Sequence, residues 1–269
     1  MVSLQEQLSQ EIKSIATSSD IELTAEEIKE AIEAAKIKKA VAIEKEQQAS
    51  YAEFVEQEIR RPWGHEDLKT FVINRARDIS LPFTEDAKNK DLITSLSYYF
   101  TGNELFEKCG PKDKKPWSLN KGLMLCGGIG TGKTTLMKGF NKNKRRCYTV
   151  VSCRHIASKY AEMGADVLSE YSGKRYTVNS RDTFYQNEIG FCFDDLGTEE
   201  SKKNYGNQAN VMADILLNRY DNTNVPWHYT HATTNLTPEE IEEYYGTRVR
   251  SRLKEMFNMI AMTGEDRRK

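Results

Sequence analysis

Hydrophobic and polar residues follow different patterns in the two parts of this chain. From Gly122 onward, short apolar runs alternate with longer segments of mixed polarity. The runs "GLMLC", "CYTVVSC", "IGFCFDD" and "HYTHATTN" have the length and composition of strands. Because strands that alternate with helices build parallel sheets, this pattern predicts an α/β fold.

The first 50 residues contain no glycine, proline or aromatic residue, and they predict a helix. Within "LTAEEIKEAIEAAKIKKAVAIEKEQQ", Thr24 and Glu27 have the spacing of a capping box. Apolar residues at helical spacing follow, and they are Ile28, Ile32, Ala35 and Ile43. This stripe is explained either by a charged surface helix or by a helix that docks on a partner.

Helical segments continue up to the α/β part. The stretch "RRPWGHEDL" interrupts the first helix, and "KTFVINRARDISLPF" predicts a second helix that ends before Pro82. Thr84 then predicts the N-cap of a third helix, "EDAKNKDLITSLSYYF", which ends near Gly102. The chain is thus predicted to have a helical N-terminal region in residues 1–82 and an α/β domain in residues 83–269.

Composition and charge narrow the function. The 269 residues carry a net charge of -1, so any affinity for nucleic acid must come from local basic patches. The 5 cysteines form no CxxC pair, which predicts free thiols rather than a zinc site or disulfides. No apolar run approaches the ~20 residues that span a membrane, and the N-terminus does not have the pattern of a signal peptide. These features predict a soluble cytoplasmic protein without a membrane partner.

Residues 127–135, "GGIGTGKTT", match the pattern GxxxxGK[ST] of a phosphate-binding loop between a strand and a helix. The glycines let backbone N–H groups converge on phosphate oxygens, and the helix N-terminus adds further donors. Lys133 is predicted to reach the β- and γ-phosphates, and Thr134 to ligate Mg²⁺. The predicted nucleotide-binding residues are Gly127, Gly128, Ile129, Gly130, Thr131, Gly132, Lys133, Thr134 and Thr135.

A second motif supplies carboxylates. The apolar run in "IGFCFDDLG" ends in Asp194 and Asp195, at the edge where ligands bind in open α/β sheets. Asp194 is predicted to hold Mg²⁺, and Asp195 to act as the base or to position the attacking water. "HATTNL" places Asn235 at the end of another strand, where an amide can orient that water. Asn235 is also explained as part of the turn before the helix start at Thr237.

Basic residues form three groups. "YYGTRVRSRLKEM" places Arg248, Arg250 and Arg252 on a helix, with Arg248 and Arg252 on one face and Arg250 on another. Either an arginine of this helix acts on the nucleotide of a neighbouring subunit, or the helix is a solvated basic one. A basic run before the second strand suits either nucleic-acid phosphates or a solvated loop. Its members are Lys138, Lys142, Lys144, Arg145, Arg146 and Arg154. Tyr148 and Tyr160 nearby are explained either by stacking on bases or, as is more usual for tyrosines in a strand and a helix, by packing in the core. "YSGKRYTVNSRD" adds Lys174, Arg175 and Arg181.

These motifs together resemble those of AAA+ ATPases of the DnaC/IstB type, the bacterial helicase loaders and transposition helper ATPases. The resemblance runs from Thr84 to the C-terminus and rests on "GGIGTGKTT", "FCFDDLG", "TTNL" and "YGTRVRSRL". It implies a P-loop AAA+ (ASCE) fold with a three-layer α/β/α core, a parallel sheet, and ATP and Mg²⁺ as cofactors. It also implies that Asn235 is the sensor 1 residue, and that Arg252, with Arg248 as its companion, is an arginine finger acting in trans.

The resemblance bears on two further segments. "CRHIASKYAEMGADVLSEY" resembles the added helical element that lines a channel for single-stranded DNA in the initiator clade. Only 34 residues follow Asn235 (269 − 235), so the helical lid domain is predicted to be absent or truncated and hydrolysis to be slow. Arg267 and Arg268 are then explained as substitutes for a lid arginine or as a plain basic tail.

The resemblance implies that the N-terminal helices bind a partner, either a replicative helicase of the DnaB type or a transposase. The first predicted function is an ATP-dependent loader of that helicase onto single-stranded DNA, with weak, DNA-stimulated ATPase activity and self-association. An IstB-like transposition helper is the alternative. A P-loop small-molecule kinase is disfavoured by the arginine box and Asn235, and a catalytically dead loop by the intact Lys133, Thr134 and Asp194.

Overall fold

The computed structural model describes residues 24–78, 85–113, 115–173, 175–176, 188–199, 202–204 and 207–267. The chain divides into two compact units, Met1–Ile59 and Arg60–Lys269. The sequence predicted a division of function after residue 82, and that boundary stays a prediction.

The first unit is represented by one long helix. Helix α1 (Ala25–Arg60) has 36 residues and begins directly after Thr24, where the capping pattern predicted a helix. All side chains from residue 32 to residue 50 are exposed. They include Ile37 and Val41, whose exposed fractions are 62% and 46%. Because these two residues are one helical turn apart, they present a small apolar surface to solvent.

Three short helices open the second unit. They are α2 (His65–Asp78), α3 (Lys90–Thr101) and α4 (Leu105–Lys108). Leu68 and Val72 of α2 are buried in one apolar cluster with Ile93 of α3 and Leu123 of the first strand. Helix α2 therefore packs on the sheet domain, although the sequence placed it in the N-terminal region.

Helix α3 begins later than predicted. The sequence placed its N-cap at Thr84, which lies outside the described residues, whereas the helix begins at Lys90. The Asp86 carboxylate accepts hydrogen bonds from the backbone N–H groups of Lys88 (2.8 Å) and Asn89 (3.0 Å). This local turn competes with helix formation and delays the first helical residue.

Strands and helices alternate through the rest of the unit. The described strands are β1 (Gly122–Cys126), β2 (Tyr148–Ser152), β3 (Arg175–Tyr176), β4 (Glu188–Leu196), β5 (Lys202–Asn204), β6 (Asn207–Ala209), β7 (Thr230–Thr234) and β8 (Phe257–Ala261). The helices are α5 (Lys133–Phe140), α6 (Cys153–Met163), α7 (Ala165–Ser172), α8 (Val211–Asp221), α9 (Pro238–Tyr245) and α10 (Thr247–Met256), with a 3-10 turn at Trp227–Tyr229.

Five parallel strands form the central sheet in the order β2-β4-β7-β1-β8. Strand β3 pairs with β4 in antiparallel fashion, and β5 and β6 form a separate hairpin. The sequence predicted every parallel strand except β8. Its residues, "FNMIA", follow α10 without any glycine, proline or other turn residue to separate the two elements.

Two apolar clusters cover the two faces of the sheet. Met124, Phe191 and Phe193 pack with helices α6, α8 and α10. Leu123 and Leu125 pack with α3 and α5 on the other face. Because successive side chains of a strand point to opposite faces, the sheet is the middle layer of a three-layer α/β/α core. The predicted fold class is confirmed.

Residues 262–267 follow β8 and contain no helix, so the described part of the chain includes no helical lid. A search of the described helices also finds no helix that is long and apolar enough to cross a lipid bilayer.

Arg219 of α8 is fully buried and joins several elements. Its guanidinium donates hydrogen bonds to Thr230 Oγ1 (2.8 Å), Tyr171 O (2.9 Å), Gly173 O (2.7 Å) and Tyr229 O (3.0 Å). Burial lowers the pKa of Arg219 to about 9. The oxygen acceptors offset the cost of burying the charge.

Replacing Arg219 with methionine is expected to lower the free energy of unfolding by about 3 kcal/mol, because several buried oxygens lose their donor at once. Urea denaturation of the Arg219→Met protein measures the loss. Arg145→Met, at an exposed position, is the control. A loss below about 0.5 kcal/mol, the range of ordinary surface substitutions, would contradict the structural role of Arg219.

Candidate functional site

The phosphate-loop motif lies where the sequence placed it. Strand β1 ends at Cys126, the loop follows, and α5 begins at Lys133. Gly132 is the N-cap residue of α5 and has a φ of 95°, and no side chain caps the helix. The first N–H groups of α5 are therefore available to an anion, whose charge also interacts favourably with the helix dipole.

Lys133 folds back over the loop. Its ammonium group is nearly buried, and the residue is 5% exposed. It donates hydrogen bonds to Gly127 O (2.8 Å), Gly128 O (2.8 Å) and Asn235 Oδ1 (2.5 Å). These three oxygens are neutral, and a phosphate that enters the loop would add a charged acceptor for the ammonium group.

Asp194 and Thr134 form a pair of oxygen ligands. Asp194 Oδ1 accepts hydrogen bonds from Thr134 Oγ1 (2.8 Å) and Thr233 Oγ1 (2.8 Å). Burial raises the pKa of the Asp194 carboxyl, the two hydroxyl hydrogen bonds lower it, and the neighbouring charge of Asp195 raises it, with a net upward shift. A cation bound between these oxygens would relieve the buried charge.

The oxygens of Thr134 and Asp194 are of the type that Mg²⁺ prefers. The described residues contain no group of three or more histidine, cysteine or acidic residues that would hold a metal by themselves. A magnesium ion at this position would therefore take further ligands from water and from the phosphates of a nucleotide, which is how Mg²⁺ is usually bound beside nucleotides.

Asp195 lies on an irregularity of β4. The pairing register of β4 with β7 shifts between Phe193 and Leu196. Asp195 has a φ of 59°, and among the described residues it is the only non-glycine residue with a positive φ. Its N–H donates to Thr233 Oγ1 (2.9 Å), which holds this conformation. Such bulges redirect side chains beside active sites, and here the bulge brings Asp195 into the lining of the cavity.

Asn235 stands between the two motifs. Strand β7 is inserted between β1, which carries the loop, and β4, which carries the acids. Asn235 follows β7 directly and accepts the hydrogen bond from Lys133. The turn interpretation also holds for its neighbours, because Thr237 and Glu240 form the predicted capping box of α9.

These elements enclose one cavity of 680 Å³, a volume within the range of small-molecule sites. Residues 129–135, Asp195 and Asn235, which the sequence assigned to the nucleotide and to the attacking water, line it. Gly127 and Gly128 lie at the foot of the loop, where their carbonyls bind Lys133, and Asp194 lies beneath Thr134.

The three arginines of α10, Arg248, Arg250 and Arg252, do not line this cavity within the same protomer. Arg248 is exposed at the start of α10. The Arg252 guanidinium lies 4.3 Å from the ring centroid of Tyr220, donates to the Tyr220 hydroxyl (3.0 Å) and is 3.7 Å from the Glu255 carboxylate. Arg250 is bound to Glu242 at 2.5 Å. The face that α10 presents is thus separate from the cavity that the phosphate loop lines.

Some residues that line the cavity were missed as site residues. They are Asn89, Arg154, Thr198, Met262 and Arg267. Arg154 had been grouped with candidates for DNA contact, and Arg267 had been explained either as a substitute for a lid arginine or as part of a plain basic tail. The Arg267 N–H donates to Gly130 O (3.0 Å), and its guanidinium binds Asp86 at 2.8 Å. Arg268 lies outside the described residues.

Several candidates for nucleic-acid contact are part of the core instead. Arg146 is 6% exposed and donates to Leu119 O at 2.6 Å. Tyr148 is buried and donates its hydroxyl to Met137 O at 2.7 Å, and Tyr160 is also buried. Of the two interpretations of these tyrosines, stacking on bases or packing in the core, the structure supports the second, because strand β2 and helix α6 turn them inward. Lys174 and Arg181 lie outside the described residues.

Gly130 shows how closely the tail approaches the loop. Its φ is +77°, and a Cβ atom there would lie 1.8 Å from Asp266 Oδ1. We expect Gly130→Ala to weaken ATP binding about tenfold, because a left-handed alanine costs about 1–2 kcal/mol and the loop must also move. Gly246→Ala is the control, since Gly246 has a φ of +86° with no atom within 4 Å of the added Cβ. Unchanged ATP affinity in Gly130→Ala would contradict this geometry.

Comparisons with known proteins find similar folds but no sequence relatives. Neither a comparison with protein families nor one with characterised sequences gives a match. The DnaC helicase loader is 16% identical, with a TM-score of 0.43 over 67% of this chain and 93% of that protein. DnaI is 19% identical, with a TM-score of 0.41 over 69% and 89%, respectively. AMPPCP-bound DnaA from Aquifex aeolicus is 14% identical, with a TM-score of 0.40 over 69% and 50%.

These identities and TM-scores are too low to support a function, so the function is argued from the residues of the site. Strand β7 is inserted between the loop strand and the acid strand, and the loop residues and carboxylates converge on one cavity. By this strand order and this site, the chain has a P-loop α/β fold, and its membership of the AAA+ ATPases that its motifs resemble stays a prediction.

Proposed function

We propose that this protein binds and slowly hydrolyses ATP with Mg²⁺, and that it loads a replicative helicase of the DnaB type onto single-stranded DNA. One observation carries the ATPase part of the proposal. The loop lysine, the Thr134–Asp194 pair, Asp195 and Asn235 meet at one cavity, although they come from three different strand ends.

The residues divide the chemistry among them. Lys133 and the N-terminus of α5 bind the phosphates, and Thr134 and Asp194 hold the magnesium ion. A magnesium ion held by these two residues would supply positive charge beside the phosphates. Asp195 accepts a proton from the attacking water or orients it, and Asn235 fixes its position. Asp195 is one methylene shorter than a glutamate, so its carboxylate reaches less far towards the attacking water. This shorter reach supports the proposal that hydrolysis is slow.

Helix α1 is the proposed contact with the helicase. Ile37 and Val41 are exposed on one side of it, a pattern that suits docking into an apolar groove on a partner. The full-length Ile37→Asp/Val41→Asp protein is expected to lose capture of the purified replicative helicase of the same organism. Lys39→Asp, on the opposite side of the helix, is the control and is expected to retain it.

The capture experiment separates the two functions that the motifs leave open. Retention of the helicase by the wild type and its loss in the double variant support the loader function. Binding of a transposase from the same genome, with no binding of the helicase, would instead support a transposition helper. In that case the ATPase site would stand and the partner would be wrong.

Arg252 is proposed to act on the nucleotide of a neighbouring protomer, since it does not line the cavity of its own. Mixing tests this directly. Arg252→Ala retains an intact loop without a finger, whereas Lys133→Ala retains the finger without a working loop. Each variant alone is expected to be nearly inactive, and an equimolar mixture to recover part of the ATPase activity. A mixture no more active than its components would contradict action in trans.

A further inference from the structure

The cavity has two ends, and an arginine lines each of them. Met262 and Arg267 follow β8, on one side of the loop strand β1. Arg154 follows β2, which lies on the other side of β1, beyond β7 and β4. The register of β2 with β4 sets Ser152 opposite Asp194. Arg154, two residues after Ser152, is therefore at the sheet edge that carries the carboxylates.

The carboxylate side is also the side of the terminal phosphate. The loop lysine is expected to reach the β- and γ-phosphates, and Thr134 and Asp194 would hold a magnesium ion that supplies positive charge on this side of the cavity. Asp195 follows Asp194 and lines the cavity beside them. A γ-phosphate therefore lies towards β4 and β2, whereas the rest of the nucleotide extends towards Met262 and Arg267.

The position of Arg154 on its helix favours an anion. Arg154 is the second residue of α6, an 11-residue helix whose first turn contains no acidic residue and whose N-terminus has no side-chain cap. A cation in the first turn of a helix interacts unfavourably with the positive end of the helix dipole. A phosphate bound beside Arg154 would make this position favourable, because the anion interacts favourably with both the helix dipole and the guanidinium.

The charges in the cavity give a second reason for a cation at this end. The carboxylate of Asp195 lines the cavity beside the position that the γ-phosphate would take. The negative charges of these two groups would repel each other. Lys133 is shared between the β- and γ-phosphates, and Arg267 at the far end is already bound to Asp86. Arg154 is the exposed cation on the Asp195 side of the lining.

We propose that Arg154 contacts the γ-phosphate of the nucleotide bound to its own protomer, and that it thereby makes the site prefer ATP over ADP. This inference rests on the proposed nucleotide binding but is independent of the helicase and of the finger in trans. It assigns a specificity-determining role to a residue that the sequence grouped with candidates for DNA contact.

Calorimetric titration with ADP and with a non-hydrolysable ATP analogue, both with Mg²⁺, tests the proposal. Arg154→Ala is expected to weaken binding of the analogue about tenfold and to change binding of ADP less than about twofold, because only the analogue offers the third phosphate. Arg154→Lys, which keeps the charge, is expected to lie between the wild type and Arg154→Ala. Lys112→Ala removes one exposed positive charge from the loop before β1, outside the cavity, and is expected to change neither.

Equal weakening of ADP and of the analogue would overturn the proposal, and so would no change in either. Unchanged nucleotide binding with weaker binding of single-stranded DNA would also overturn it and return Arg154 to the DNA-contacting residues. If the wild type binds neither nucleotide, the proposed function itself fails. If the wild type binds nucleotide and Arg154→Ala binds it equally well, the role of Arg154 is refuted, whereas the proposed nucleotide binding stands.

Discussion

Replacing Lys133 with alanine is expected to lower the rate of ATP hydrolysis by about 10²- to 10³-fold, the usual cost of removing one donor to developing negative charge. The reason lies in the geometry of the loop. The ammonium group is held among the oxygens of Gly127, Gly128 and Asn235, within reach of any anion that the loop binds.

Phosphate release measured at saturating ATP checks this prediction. Lys138→Ala is the matched control, because it removes an exposed lysine from the same helix and is expected to leave the rate within about twofold. Thermal unfolding without nucleotide shows whether the Lys133→Ala protein is folded. A folded Lys133→Ala protein with a rate close to that of the wild type would contradict the assignment of the loop.

Asp194→Asn is expected to abolish the stabilisation that Mg²⁺ adds in the presence of ATP, and to lower hydrolysis at least 10²-fold. The same variant is expected to be at least as stable as the wild type when nucleotide and Mg²⁺ are absent. The amide oxygen can still accept hydrogen bonds from Thr134 and Thr233, whereas the buried charge beside Asp195 is gone. Active sites commonly lose stability in this way in order to bind charged ligands.

The pH dependence of the metal-free protein follows from the same carboxylate. The folded state raises the pKa of Asp194 above its ordinary value of 3.8, so the folded state binds the proton more tightly than the unfolded state does. The contribution of Asp194 to stability is therefore greatest below that value and is lost as the pH rises through the raised pKa. Asp194→Asn removes this dependence.

Thermal unfolding with ATP, in Mg²⁺ and in EDTA, measures both effects of Asp194→Asn. The wild type is expected to unfold at a higher temperature in Mg²⁺ than in EDTA, and the variant at the same temperature in both. Asp194→Asn that keeps the Mg²⁺-dependent rise would show that Asp194 does not hold the metal. Marked destabilisation without nucleotide would show that its charge is structural.

Local sequence was sufficient for the loop and its surroundings. The phosphate-loop motif carries its own backbone requirements, and it lies between β1 and α5 as predicted. The acids at the end of β4 and the capping box at Thr237 are likewise set by neighbouring residues. Each of these features depends on a few consecutive residues, so their pattern alone was informative.

Features set by distant parts of the chain could not be predicted in the same way. Arg146 and Tyr148 belong to a basic, aromatic run, yet packing against α3 and the loop before β1 buries both. Arg154 and Arg267 come to the cavity because β2 and β8 end at the same sheet edge. No spacing in the sequence indicates that proximity, which follows from strand order.

The measurement that tests the central claim most directly is a titration of the wild type and of Asp195→Asn with ATP, in Mg²⁺ and in EDTA, combined with phosphate release. We expect one ATP per chain in both proteins, with affinity at least about tenfold lower in EDTA. We expect phosphate release from the wild type but not from Asp195→Asn, because only the group that acts on water has been changed. Failure of the folded wild type to bind ATP under either condition would contradict the account.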